Sequence, residues 1–189
     1  MAPGETVDDV IRRIISFLDA ASIPYMLTGS FASSLHGMPR ATQDIDLVIA
    51  PNPTSLEALL KNFPEDQYYV SRDAAFDAYR RSSLFNVIDF ASGWKIDFIV
   101  RKPRDFSRLE FDRRTPANVL GTTVFVASPE DVLISKLEWA KLAGSERQIE
   151  DAAGIVRIQG HDLDTAYIEH WAEKLGVQAQ WAQAKAKAS

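Results

Sequence analysis

Hydrophobic and polar positions in the first third of the chain switch between helical and strand spacing. After a capping-box motif at Thr6-Val-Asp-Asp9, apolar residues recur every three or four positions, which predicts an amphipathic helix. Short apolar runs beside proline or glycine predict strands, and asparagine followed by proline predicts the start of another helix. The predicted order is helix 6–21, strand 25–28, helix 29–36, strand 45–50 and a helix that begins at Pro53.

The pattern changes in the remainder of the chain. Two β-rich segments, 83–91 and 94–100, flank Ser92-Gly93, which predicts a hairpin with a two-residue turn. Another strand is expected within 117–127. From Ser128-Pro-Glu-Asp131, which is typical of a helix start, the pattern is helical. Breaks between these helices are expected near Gly144, Gly160 and Gly176.

This succession predicts an α/β (α+β) fold, in which helices flank a small mixed β-sheet and a C-terminal helical region follows. With 189 residues, of which 46% are hydrophobic and 25% charged, the chain is long enough for one core and a small appendage. We place the boundary between residues 127 and 128. Residues 1–127 are then the core and 128–189 a helical region packed on it.

Composition excludes several classes of site. The chain has no cysteine, so disulfides, thiolate nucleophiles and cysteine-based zinc sites are excluded. Its N-terminal sequence has no basic segment followed by a long apolar run, and no apolar stretch approaches the ~20 residues of a membrane helix. A net charge of −5 disfavours a nucleic-acid binder that works by charge alone. We expect a soluble, cytoplasmic protein with no membrane partner.

Three aspartates lie in or beside predicted strands. Because strand side chains alternate between faces, Asp44 and Asp46 point the same way. Asp97 lies within an apolar strand, where an unpaired ionised carboxylate is strongly disfavoured. An exposed edge strand also explains the first two aspartates, and an arginine partner also explains the third. If all three converge, the cluster would take up protons or a cation, and Mg²⁺ or Mn²⁺ is the cation expected for carboxylate oxygens.

Asp89 competes with Asp97 for the third position in this cluster. With a two-residue turn at Ser92-Gly93, Asp89 pairs with Ile96 and points to the face of the sheet opposite Asp97. The predicted catalytic residues and metal ligands are therefore Asp44, Asp46 and Asp97.

The segment between the first two predicted strands suits a phosphate group. Gly29 has no Cβ and lets a phosphate approach the backbone, and Ser30 offers a hydroxyl beside the amides of a helix start. The planar guanidinium group of Arg40 is suited to bind a phosphate or to orient the aspartate carboxylates by hydrogen bonds. We expect Thr42 to hydrogen-bond the turn before Asp44. Neither a GxxxxGK[ST] nor a GxGxxG motif is present, so P-loop and Rossmann sites are not indicated.

The series Gly29-Ser30, a helix, Arg40-x-Thr42-x-Asp44-x-Asp46 and then Asp97 resembles the DNA polymerase β-like nucleotidyltransferase superfamily. Within it, HGMPRATQDIDLVI is most similar to the AbiEii-like group, which includes toxins of type IV toxin–antitoxin systems. The resemblance is strong over residues 25–100 and weaker afterwards. It implies a nucleotidyltransferase-like fold and a magnesium-dependent transfer of a nucleoside monophosphate from an NTP to a hydroxyl.

The resemblance also implies roles for individual residues. Gly29 and Ser30 would hold the triphosphate, Asp44 and Asp46 would bind the metals, and Asp97 would help activate the acceptor hydroxyl. One departure is Ser30, which stands where many AbiEii-like proteins have a second glycine.

A later segment is similar to the family's helical region with lysine, arginine and aspartate. The corresponding residues are Lys136, Arg147 and Asp151, of which Lys136 would contact the nucleotide phosphates. A solvated helix face explains the same three charges.

The resemblance leaves the acceptor open. An RNA or tRNA 3′ end, a small hydroxylated molecule such as an antibiotic, and a protein hydroxyl are all compatible with it. A toxin of this group would also have a cognate antitoxin as partner. The alternative to an enzyme is a non-catalytic nucleotide-binding or interaction protein on the same scaffold.

Overall fold

The computed structural model describes residues 6–188. Helices form where apolar residues recur at three- and four-residue spacing, and strands form where they alternate. The helices are α1 (Val7–Ala20), α2 (Gly29–His36), α3 (Pro53–Leu60), α4 (Arg72–Arg81), α5 (Asp105–Asp112), α6 (Pro129–Ala143), α7 (Glu146–Gln159), α8 (Thr165–Leu175) and α9 (Gln178–Ala188). The strands are β1 (Tyr25–Thr28), β2 (Asp44–Ile49), β3 (Tyr68–Val70), β4 (Leu84–Asp89), β5 (Lys95–Val100), β6 (Thr115–Val119) and β7 (Thr122–Val126).

The chain divides into two compact units. The first comprises the chain up to Thr28 together with Thr42–Val126, and it contains all seven strands given above. The second comprises Gly29–Ala41 and the chain from Ala127 onward, so α2 is grouped with the C-terminal helices. The assignment of residues 1–127 as a catalytic core and 128–189 as a helical region packed on it remains a prediction.

The first unit is built on a mixed sheet with the strand order β3-β4-β5-β2-β1-β7-β6. β2 pairs with β5 in parallel and with β1 antiparallel, so β2 lies inside the sheet. Alternate residues of β2 and β5, among them Ile45 and Phe98, are buried. On α1 the predicted capping box is confirmed, because the Thr6 side chain accepts from the Asp9 N–H and the Asp9 side chain accepts from the Thr6 N–H.

The β4–β5 hairpin differs from the predicted one. Asn86 pairs with Asp97, so the predicted two-residue turn is wrong and the loop is longer. The longer loop is held by the Asp89 carboxylate, which accepts hydrogen bonds from the Ala91 N–H at 2.9 Å and the Ser92 hydroxyl at 2.8 Å. A shift of two positions keeps every side chain on its face, so Asp89 still points away from the face of Asp97.

Asp89 has a structural partner of its own. Its side chain is buried and forms an ion pair with the guanidinium of Arg13 on α1. This contact joins the helix to the end of β4, and it accounts for a buried carboxylate without a metal ion.

In the second unit, the predicted helix boundaries are confirmed. Ser128 caps α6 by accepting a hydrogen bond from the Asp131 N–H. The helical pattern then breaks at three glycines whose φ values are positive, a conformation that favours glycine. These glycines are Gly144 (φ 60°), Gly160 (φ 53°) and Gly176 (φ 67°).

Between residues 6 and 188, no helix combines the length and the apolar character that crossing a membrane requires. Residues 1–5, on which the expectation of no signal peptide partly depends, lie outside the described residues.

Gly37 marks a close approach of α2 and α7, and its replacement should destabilise the second unit. A Cβ at this position would lie 2.8 Å from the Ile155 backbone nitrogen and 3.0 Å from the Gly154 carbonyl carbon. Because backbone atoms cannot rotate away, we expect Gly37→Ala to lower the free energy of unfolding by about 2–3 kcal/mol. Urea denaturation measures this. Gly154→Ala is the control, since its Cβ would meet backbone only at 3.3 Å, and equal losses in both variants would contradict the account.

His36 at the end of α2 has contacts that suit a neutral ring. Its Nε2 lies 2.8 Å from the carbonyl oxygen of Ala127, and its own carbonyl accepts a hydrogen bond from the Gln159 side chain at 2.7 Å. Burial lowers the pKa of His36, although the Ala127 carbonyl and Glu130 act in the opposite direction. These contacts account for His36 by a structural role, without a function in binding or catalysis.

The lowered pKa of His36 gives stability a defined pH dependence. Because the unfolded state binds more protons than the folded state near about pH 6.5, the stability contributed by neutral His36 is complete above this pH and is lost below it. We expect His36→Gln to flatten the dependence of the free energy of unfolding between about pH 7.5 and 5.5. His161→Gln, at an exposed position, is the control. Parallel profiles for wild type and His36→Gln would refute this assignment.

Candidate active site

The parallel pairing of β2 with β5 brings the predicted carboxylates to one face of the sheet. Asp44 is in register with Lys95, and Asp46 with Asp97. Since residues two apart on a strand share a face and registered partners do too, these four side chains lie on the same side. Their strand neighbours, such as Ile45 and Phe98, fill the opposite, buried side. We call Asp44, Asp46, Lys95 and Asp97 the carboxylate face.

Lys95 is the central cation of the carboxylate face. Its Nζ lies 3.2 Å from Oδ1 of Asp44 and 2.9 Å from Oδ2 of Asp97. The side chain of Asp97 is 14% exposed, whereas those of Lys95 and Asp44 are 37% and 48% exposed. The hydrogen bond to Asp97 is the main cause that raises the pKa of Lys95. The ammonium therefore neutralises part of the negative charge on this face.

The donor atoms of the carboxylate face fit a hard divalent cation. All three acidic groups offer carboxylate oxygens, which Mg²⁺ and Mn²⁺ prefer. Oδ1 of Asp97 is buried and has no hydrogen-bond partner among the described residues, so its lone pairs face no donor there. In the same part of the chain, no three acidic or histidine side chains are already arranged to hold a metal ion. The shared face is thus shown, and metal binding remains a prediction.

Thr42 and Asn86 border the carboxylate face. The Thr42 hydroxyl accepts a hydrogen bond from the Asp44 N–H at 3.2 Å, which is the turn contact expected for this threonine. Asn86 on β4 is the registered partner of Asp97 and lies on the same side of the sheet. The sequence interpretation missed Asn86 and Lys95. The alternation rule that selected Asp97 also places Lys95, two residues earlier, on the same face.

A second set of predicted residues meets within the second unit. Asp151 on α7 is 3.2 Å from Nε of Arg40 and 2.8 Å from Nζ of Lys136 on α6. The Arg40 guanidinium also donates to the hydroxyl of Ser30. The side chains of Lys136 and Asp151 are only 5% and 8% exposed. We call Ser30, Arg40, Lys136 and Asp151 the buried ion cluster.

The buried ion cluster changes the interpretation of its members. Lys136 and Asp151 do not belong to a solvated helix face, because each is buried against an opposite charge. Arg147, by contrast, is exposed on α7. Gly29, at the start of α2, has a φ of 64°, a conformation that glycine adopts without strain. That Gly29, Ser30, Arg40, Thr42 and Lys136 bind a nucleotide remains a prediction.

Comparison of the fold with solved structures identifies its class. ANT(2'')-Ia in complex with adenylyl-2''-tobramycin superposes with a TM-score of 0.59 at 15% identity, over 93% of this chain and 99% of that chain. An antigenic nucleotidyltransferase-like protein from Paracoccidioides brasiliensis gives 0.58 at 19% identity, over 95% and 91%. The chain has a nucleotidyltransferase fold. The lincosamide antibiotic adenylyltransferase LnuA, with lincomycin bound, gives 0.53 at 13% identity, over 82% and 99%.

The nucleotidyltransferase fold confirms the predicted fold class, a mixed sheet flanked by helices. The predicted resemblance to the DNA polymerase β-like superfamily remains a prediction, because structures below 25% identity show the fold alone. No family model matches the chain, and no curated protein matches it. The narrower resemblance to the AbiEii-like group therefore remains a prediction.

Proposed function

We propose that this protein is a nucleotidyltransferase that uses Mg²⁺ or Mn²⁺ to transfer a nucleoside monophosphate from an NTP to a hydroxyl acceptor. The observation that carries the proposal is the register of β2 and β5, which sets Asp46 beside Asp97 and Asp44 one step along the same face. Like charges that share one face of a sheet repel each other, and the single lysine on this face offsets only part of three negative charges.

Each carboxylate has a role in this mechanism. Asp44 and Asp46 would hold the divalent ion, whose chemistry is to polarise the phosphate and to stabilise the leaving oxygen. Asp97 would orient the acceptor hydroxyl and accept its proton. The acceptor oxygen forms a bond to the α-phosphorus, the bond from that phosphorus to the bridging oxygen breaks, and pyrophosphate leaves. The remaining contribution of the chain is position and preorganised charge.

Among the acceptors, a small hydroxylated molecule has the most support. ANT(2'')-Ia was crystallised with an adenylylated tobramycin, and LnuA with lincomycin. A net charge of −5 also favours a cationic acceptor over RNA, because acidic surfaces attract cations. RNA or tRNA 3′ ends and protein hydroxyls remain the other acceptors to test. If the acceptor is RNA or a protein, the protein would be a candidate toxin with a cognate antitoxin, as in the AbiEii-like group.

Labelled nucleotides test the proposal and the acceptor together. The protein is incubated with each α-³²P-labelled NTP, Mg²⁺ or Mn²⁺, and separate pools of aminoglycosides and lincosamides, of RNA, and of protein extract. The proposal predicts label on one pool, with no transfer when the label is in the γ position. Binding of NTP without transfer to any pool would favour the non-catalytic alternative. The cytoplasm, with its NTP supply, is the compartment we propose for this reaction.

A further inference from the structure

The ammonium group of Lys95 contacts two of the carboxylates that are predicted to bind a divalent ion. Nζ of Lys95 is 3.2 Å from Oδ1 of Asp44 and 2.9 Å from Oδ2 of Asp97. Both contacts are of hydrogen-bond length, and each engages an oxygen of a predicted metal ligand. With one positive and three negative side chains, the face retains an excess of negative charge.

An ammonium group and a divalent ion compete for the same two carboxylates. Nζ takes Oδ1 of Asp44 and Oδ2 of Asp97, and a divalent ion that binds their other oxygens lies close enough for the two positive charges to repel each other. Lys95 has room to move, since its side chain is 37% exposed at the end of a flexible four-carbon stem. Asp97, which is only 14% exposed, is held by its strand.

We propose that Lys95 competes with the metal ion and, as a positioning residue, keeps the affinity of the carboxylate face for divalent ions low when no nucleotide is bound. This inference rests on the proposed function. A divalent ion must displace the ammonium, so an ion that arrives with nucleotide phosphates, which add their own oxygen ligands, binds better than the ion alone. Metal loading would thereby depend on the presence of the NTP substrate.

The test measures Mn²⁺ binding by electron paramagnetic resonance, without nucleotide, in wild type and three variants. We expect Lys95→Met to bind Mn²⁺ at least about tenfold more tightly, because the competing charge is gone. Lys95→Arg retains a cation and should stay close to wild type. Lys102→Met, at an exposed position after β5, is the matched control and should also stay close to wild type. Lys95→Gln replaces Lys95→Met if that variant does not fold.

Thermal unfolding supplies a second readout that is independent of catalysis. Without added metal, Lys95→Met should melt below wild type, because Asp44 and Asp97 lose the cation that pairs with both. Saturating Mn²⁺ should then raise its melting temperature more than that of wild type. Equal Mn²⁺ affinity in Lys95→Met and wild type would overturn this inference and leave the metal site standing. Absence of Mn²⁺ binding in every variant, even with ATP, would overturn the proposed function as well.

Discussion

Asp46→Asn should reduce nucleotidyl transfer by about a thousandfold or more, which corresponds to about 4 kcal/mol of transition-state stabilisation. Asp46 lies beside Asp97 in the β2–β5 register, at the centre of the carboxylate face. An amide preserves the shape of the side chain and removes the charge that a divalent ion requires. The measurement is the initial rate of label transfer from the preferred α-labelled NTP to its acceptor.

The controls for Asp46→Asn must distinguish a loss of catalytic activity from a loss of the folded structure. Asp77→Asn removes a charge from an aspartate on α4 whose side chain is 42% exposed, and it should leave the rate unchanged. Without added metal, Asp46→Asn should still unfold in one cooperative transition, which shows that the loss of activity is not a loss of fold. Full activity of Asp46→Asn would refute the assignment of this face as the active site.

Asp151→Ala should lower the free energy of unfolding by about 3–5 kcal/mol, the largest stability effect we expect from a single side chain. Removal of this carboxylate takes away one ion-pair partner of Lys136 and one of Arg40. The penalty is large because the Lys136 side chain is buried and loses an opposite charge when Asp151 is gone. Urea denaturation with linear extrapolation measures the loss.

Glu150→Ala is the matched control for Asp151→Ala. Glu150 is the preceding residue on α7, is exposed and pairs with Lys187 near the end of the chain. We expect its replacement to leave the unfolding midpoint unchanged within error. If Asp151→Ala also unfolds at the wild-type midpoint, the buried ion cluster does not stabilise the second unit.

Local signals in the sequence were sufficient for much of the fold. Thr6, Asn52 and Ser128 each cap a helix where their motifs place it. Side-chain alternation along the strands was enough to place Asp97 and Asp89 on opposite faces of the sheet. A shift of two residues in the pairing leaves each side chain on the same face, so the error in the turn did not change this assignment. The positions of the aspartates on the carboxylate face could therefore be predicted, although the predicted length of the hairpin loop was wrong.

The remaining features depend on contacts between residues distant in sequence. The longer β4–β5 loop follows from Asp89, whose partner Arg13 is far away in the chain. Lys136 and Asp151 pair across two helices, and no spacing rule within one helix predicts that contact. The position of Lys95 between two carboxylates requires the β2–β5 register, which side-chain alternation alone does not determine.

The most direct test of the account is anomalous diffraction from crystals grown with Mn²⁺ and a non-hydrolysable ATP analogue. The account predicts an anomalous peak at a distance on the order of 2 Å from carboxylate oxygens of Asp44 and Asp46, with the Lys95 ammonium moved away from Asp44. A crystal in which the nucleotide binds, Lys95 still bridges Asp44 and Asp97, and no anomalous peak lies near them would contradict it.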